Sequence, residues 1–218
     1  SQGLHSLFAN IPGLKIVAPS TPYEAKGMLI AAIRDNNPVI FVEHFKLYVE
    51  TGYVPLKPYA VPFGKAIIRK KGGDLTIVAI SSMNIECLKA AHHLKKERVN
   101  VEVIDPVSLV PLDINTIIKS VQKTGKLLVA DTAWTSCGIS AEIVARVVEH
   151  FGAKKQILVE RIGFAPVPSP NTPALEKYFY PNVKSIACAA FKMVRGKRAT
   201  MSFTVDKQSE KSGMTEKV

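Results

Sequence analysis

The sequence predicts an α/β protein with a mostly parallel sheet, and three observations carry that expectation. Short apolar runs rich in Val, Ile and Leu alternate with longer stretches of helical period, the pattern of strand–helix–strand units covered on both faces. The composition, 47% hydrophobic and 22% charged, is that of an ordinary globular chain. At 218 residues, the length suits one large or two modest domains of roughly 100–200 residues each. The same observations exclude a disordered chain, a collagen and a disulfide miniprotein. No apolar run approaches the ~18 residues of a bilayer span, so no membrane association is expected. Cys87, Cys137 and Cys188 are far apart and form no CxxC pair. Neither a zinc cage nor a disulfide framework is expected, and a reducing compartment fits.

Taken in order, Leu4, Leu7, Phe8 and Ile11 recur at helical spacing until Pro12-Gly13 stops them. Leu14–Ala18 reads as a short buried strand. Thr21 is a candidate N-cap with Pro22 at the first helical position, and the helix runs through Met28, Leu29 and Ile33. It ends at Asp35-Asn36-Asn37-Pro38, because Pro38 disfavours helical geometry at Asn37. Val39–Val42 is apolar throughout, which predicts a central parallel strand. Residues 45–62, with Tyr48, Tyr53, Pro55, Pro58, Tyr59 and Pro62, read as an irregular connector and a domain boundary.

Beyond it, Lys65–Arg69 and Leu75–Ile80 are predicted strands joined at Gly72-Gly73 by a tight turn. A helix over Asn84–Glu97, a strand at Val99–Ile104, a helix at Ile114–Val121 and a strand at Leu127–Ala130 follow. Gly138–His150 is a helix, Ile157–Val159 a strand, and residues 174–194 a closing helix. Val205–Val218 is polar enough to predict a disordered tail. Residues 1–58 supply too few strands to close a doubly wound core, which needs ~100 residues or more. They are expected to be half of a domain. The opening Ser1-Gln2-Gly3-Leu4 has neither the basic nor the apolar region of a signal peptide.

The net charge is +11, and residues 61–204 hold 21 basic against 11 acidic residues. A surface of that kind attracts nucleic acid, anionic lipid or an acidic protein. The basic residues lie scattered or in short groups such as Arg69-Lys70-Lys71, without interleaved aromatics, so nucleic acid is not the expected partner.

Four blocks in a fixed order resemble a known family: Ile11–Pro19, Ala32–Pro38, Val103-Ile104-Asp105 with Val110–Asp113, and Gly138–Ile143. Over about residues 1–194 the chain is similar to the beta subunit of the first component of 2-oxo acid dehydrogenase complexes, nearest the pyruvate dehydrogenase branch. The resemblance implies the second half of a transketolase-like pyrimidine-binding domain over residues 1–58. A transketolase-type C-terminal domain would follow over residues 59–200, with a tail over residues 201–218. It implies an oxidoreductase that decarboxylates pyruvate with thiamine diphosphate and magnesium, bound between alpha and beta subunits and mostly outside this chain. The acetyl group would pass to a lipoyl arm of the dihydrolipoyl acyltransferase core. The implied assembly is a heterotetramer with a second beta subunit, in the cytoplasm or mitochondrial matrix. The family's cofactor-contacting glutamate and its acyl-transfer histidine fall upstream of Ser1, and His5 does not align with the latter. No catalytic residue is therefore assigned, and the chain by itself is expected to be inactive.

The resemblance also implies a structural potassium ion held by main-chain oxygens of Ala32, Ile33, Asp35 and Asn37. The residues on their own read rather as a helix stop with Asn36 or Asn37 in a left-handed cap, and it is the resemblance that favours the ion. The last carbonyls of a helix lack intrahelical partners and carry the negative end of the macrodipole, which suits a weakly hydrated cation. Among the other candidates, the adjacent His92-His93 would point ~100° apart on a helix and share no metal. His44 follows a strand end, where α/β sheets place ligands. Ser136-Cys137-Gly138 opens a helix, but Cys137 has no identifiable base. Trp134 reads as interface packing, and Gly72-Gly73 precedes no helix and fails as a phosphate loop. A non-enzymatic interaction module using the basic surface is the alternative, as is an acetoin or branched-chain dehydrogenase subunit.

Overall fold

The computed structural model describes residues 3–196 and 198–201. Among the described residues, eight strands form two sheets, accompanied by six α-helices. A three-stranded sheet has the order β2-β1-β6, from β1 (Lys15–Val17), β2 (Val39–Phe41) and β6 (Ser108–Val110). A five-stranded sheet has the order β3-β5-β4-β7-β8, from β3 (Ile67–Lys70), β4 (Leu75–Ala79), β5 (Val101–Asp105), β7 (Lys126–Trp134) and β8 (Leu158–Phe164). The β4–β5, β4–β7 and β7–β8 pairs are parallel. Only edge strand β3 runs antiparallel, against β5.

Strand β4 reads Leu75-Thr76-Ile77-Val78-Ala79, and its alternation sends each residue to one of two cores. Leu75, Ile77 and Ala79 pack with Ala90, Ala91 and Leu94 of α2 (Met83–Lys96) and with Ile186, Ala187 and Ala190 of α6 (Val183–Arg195). Val78 and Ile80 face α3 (Ile114–Thr124) and α4 (Ile139–Phe151) through Ile117, Val121, Ile143 and Val147. Thr76, also on that face, is fully buried but bonded to Ser120 and Thr124 hydroxyls at 2.7 and 2.8 Å. A buried hydroxyl needs such partners. Helices thus cover both faces, as the alternating pattern predicts.

Helix α1 (Pro22–Arg34) starts at the expected N-cap, Thr21, whose side chain accepts from the Glu24 N–H. Ile16 and Ala18 join the same core as Val78 and Ile104. Val17 and Met28 pack with Val107. The first segment is therefore welded to the second, and β6, from the far side of the connector, completes its sheet by pairing antiparallel with β1.

Several local expectations are corrected. Strand β2 lies at a sheet edge and is half-buried, because an apolar run specifies burial potential without specifying neighbours. Gly72-Gly73 joins strands that do not pair with each other. Instead, Gly72 is pressed so closely on Val101 and Asn100 that a Cβ would overlap their backbone. The helix at the start of the chain shrinks to a single 3-10 turn, His5–Leu7. The closing helix divides into α5 (Pro173–Phe179) and α6. Pro181 and the Asn182–Ser185 capping box separate them, since a cap satisfies N–H groups that a continuous helix would bond internally. The tail expected at 201–218 lies outside the described residues except for Met201.

Candidate functional site

The C-terminal end of α1 is the site expected from sequence. Asp35 caps the helix with extended backbone (φ −79°, ψ 138°) and donates its N–H to the Ala32 carbonyl. No residue of 35–37 is left-handed, so the asparagine cap considered from sequence is not formed. Instead, Asp35 Oδ1 accepts the Asn37 N–H and its side-chain amide, both at 2.9 Å. Asp35 Oδ2 receives Lys15 Nζ. The hydrogen bond from Lys15, then those from Asn37, pull the Asp35 carboxyl down to about 2. With that carboxylate engaged, the groups left for a cation are main-chain oxygens. Among the described residues no backbone N–H is directed at the carbonyls of Ile33, Asp35 or Asn37. The groups left are neutral oxygens, which suit a hard cation and not a soft, thiolate- or imidazole-seeking metal.

The structure brings none of the other sequence candidates into a catalytic constellation. His92 is exposed and His93 half-buried, with ring centroids 6.1 Å apart. His44 caps a short turn by accepting the Lys46 N–H at 3.3 Å. Burial, then Lys46, lowers its imidazole to about 4. Cys137 is exposed with φ +52°. It precedes the N-cap Gly138 of α4 and lines a groove of about 550 Å³ with Ser6, Asn10, Pro111 and Arg146. Trp134 packs edge-on to Phe164 and Phe179, with centroids 5.8 and 6.3 Å away. Among the described residues no group of His, Cys, Asp or Glu is placed to hold a metal ion.

Two buried polar clusters have no counterpart among the sequence expectations. In the first, Arg69 of β3 reaches Glu24 of α1 at 2.9 Å and Asp105 of β5 at 2.8 Å. Ser20 donates to Asp105, and Asn84 Nδ2 donates to both Ser20 (2.9 Å) and Asp105 (2.6 Å). Burial raises the Asp105 carboxyl, against the pull of Arg69 and Ser20. Burial would lower the Arg69 guanidinium, but Asp105 and Glu24 more than offset it, and its pKa rises. The cluster ties α1 to β3 and β5, a seam and not a reaction centre. Its signal in the sequence is Arg69 and Asp105 beside the apolar residues of two strands, Ile67–Lys70 and Val101–Asp105, since charges in such places are seldom buried unless paired. In the second cluster, His5 is buried against Asp131 at the end of the five-stranded sheet.

Comparison with known proteins agrees with this arrangement. Residues 64–186 match the model of the transketolase C-terminal domain, and residues 1–50 that of the transketolase pyrimidine binding domain. The chain is 46% identical over 197 residues to the beta subunit of acetoin:2,6-dichlorophenolindophenol oxidoreductase of Cupriavidus necator, covering 90% of this chain and 58% of that one. It is 41% identical over 195 residues to the pyruvate dehydrogenase E1 component subunit beta of Bacillus subtilis, covering 89% and 60%. A 2-oxoisovalerate dehydrogenase subunit beta of Bacillus subtilis is 38% identical over 191 residues, covering 87% and 58%. Among solved structures, a split-gene transketolase described as an inactive beta4 tetramer superposes with a TM-score of 0.70 at 25% identity, covering 88% of this chain and 61% of that one. The chain thus spans about three-fifths of the length of these relatives. It belongs to the transketolase C-terminal domain family, with a stretch of transketolase pyrimidine-binding domain ahead of that domain.

Proposed function

We propose that the chain is the beta-subunit part of a thiamine-diphosphate-dependent 2-oxo acid dehydrogenase. In this reading it works with an alpha subunit and a second beta subunit, decarboxylates pyruvate and passes the acetyl group to a lipoyl domain on an acyltransferase core. The observation that carries the reading is the unbroken similarity to such beta subunits across both matched regions. Among the described residues no group of His, Cys, Asp or Glu is placed to hold a metal ion; in this reading thiamine diphosphate and magnesium are held between the subunits, mostly outside this chain. This chain would supply the C-terminal scaffold, and potassium would sit at Ala32, Ile33, Asp35 and Asn37.

A second reading rests on the identity values: the acetoin oxidoreductase subunit reaches 46%, against 41% for the pyruvate enzyme. On that reading acetoin replaces pyruvate, while the cofactor and the subunit plan stay the same. The test is turnover of the longer beta chain reconstituted with its alpha subunit, with dichlorophenolindophenol as electron acceptor. Pyruvate, acetoin and 2-oxoisovalerate are compared with and without thiamine diphosphate. Cofactor-dependent turnover fastest on pyruvate is expected; fastest on acetoin selects the second reading, and none on any substrate overturns both.

A further inference from the structure

The chain leaves β4 for α2 and β5 on one side of the sheet, then crosses by α3 to β7 on the other. The carboxyl ends of β4 and β7 therefore flank the topological switch point, the place where open α/β sheets take their ligands. Here that place is filled by the chain itself. Gly3 lies so close to the Thr132 carbonyl that a Cβ would overlap it. His5, only 3% exposed, sets Nε2 3.3 Å from Asp131 Oδ2 and 3.1 Å from Oδ1. Ser6 Oγ accepts the Ile139 N–H at 3.0 Å, capping the first turn of α4 from a distance of 133 residues in sequence.

Several unpaired polar atoms lie at the carboxyl ends of β4 and β7, while Asn84 belongs to the Asp105 seam. Among the described residues, buried side-chain atoms without a hydrogen-bond partner include His5 Nδ1, Asn84 Oδ1 and the hydroxyls of Ser81, Ser82 and Ser140, whereas Asp131 Oδ1 has the ionic contact to His5 Nε2. Ser81, Ser82 and Asn84 follow β4; Asp131 lies in β7, one residue past its last pairing with β4, and Ser140 is in the first turn of α4. Ser81 is also held at φ +55°, costly for a residue with a side chain. Orphan buried polar atoms are rare in folded proteins. Those that follow β4 and those near β7 sit at the carboxyl end of the sheet, between two of its interior strands, a polar setting and not a packed apolar core.

We propose that the β4–β7 switch-point crevice is a binding site for an imidazole, and that residues Gly3–Ser6 are its resident ligand, with Asp131 reading the ring of His5. Asp131 is fully buried, and His5 is the partner that its carboxylate contacts. An unpaired carboxylate there would be severely destabilising, whereas an apolar pair would not. The inference concerns this chain's own residues and stands independently of the proposed reaction.

The experiment uses the 218-residue chain at fixed pH. His5→Gly empties the ring position, so its melting temperature should fall, and added imidazole should restore most of the loss with saturation. Imidazole should leave the wild type unmoved and fail to rescue a His5→Gly/Asp131→Asn double variant. Absent rescue, or equal gains in all three proteins, overturns the proposal. If His5→Gly does not fold, the folded yield on refolding with imidazole is measured instead; a yield that rises with imidazole supports the proposal, and an unchanged yield overturns it. A second pair guards against a purely steric role. His5→Gln keeps an N–H near Nε2 and should melt within a few degrees of the wild type. His5→Leu should lose about 10 °C, because it leaves Asp131 unpaired. Equal melting of the Gln and Leu variants overturns the proposal.

Discussion

Arg69 bridges two carboxylates that the fold has taken out of water, Glu24 at 3% exposure and Asp105 at 0%. Removing one member of a buried ionic set strands the others, at a cost of about 3–5 kcal/mol. Arg69→Met should therefore cost that much in urea unfolding, while replacing Arg69, Glu24 and Asp105 together by apolar residues of similar size should recover most of it. Asp35 yields a pH prediction. Its carboxyl is lowered from 3.8 to about 2 by the hydrogen bond from Lys15 and those from Asn37. A lowered carboxyl stabilises the fold above the unfolded pKa, and that contribution is lost as pH falls from about 4 through 2. The wild type should melt above Asp35→Asn at pH 6, and the difference should vanish near pH 2; a constant difference would break the assignment. At this scale sequence identifies charge, but only contact shows which charges are paired. Asp105 and Asp35 are the same residue type in the sequence, yet burial raises one pKa and hydrogen bonds lower the other.

Helix ends are where single elements reveal their supports. The first turn of α6 is closed by a reciprocal capping box, Asn182 with Ser185. Asn182→Ala should cost about 1 kcal/mol, measured by chemical denaturation, with faster amide exchange in the first turn of α6. The end of α1 is the place for potassium. If Ala32, Ile33, Asp35 and Asn37 hold it in the longer subunit, replacing potassium by lithium should lower the melting temperature, because a ligand bound to the native state stabilises by mass action. No change over a wide concentration range would leave a plain helix stop. Helix starts such as Thr21-Pro22 are legible because cap chemistry is local. The α5–α6 break is not, because Pro181 falls in a stretch whose apolar period continues on both sides.

Across the whole molecule, the connector at 45–62 is the exposed joint: Val49, Tyr53 and Leu56 are 81%, 83% and 99% exposed. Limited proteolysis should cut there first. The sequence predicts a stray half-domain beside an independent core. The structure places β1 and β6 in one sheet, with Arg69 crossing between the parts. The nicked halves should therefore elute together from a native sizing column and separate only in denaturant. Separation under native conditions would mean that the shared sheet contributes little.

The alternation of apolar strands with amphipathic helices, the cap at Thr21 and the irregular composition of 45–62 were all decided by the sequence itself. Each rests on side-chain period or local backbone chemistry within a few residues. The tertiary structure decided that β2 is an edge, that β6 joins β1, that Arg69 serves two carboxylates and that His5 fills the switch-point crevice. Those contacts join residues up to 126 positions apart. Period and propensity carry no information over such a span; only closure of the shared core brings the partners together.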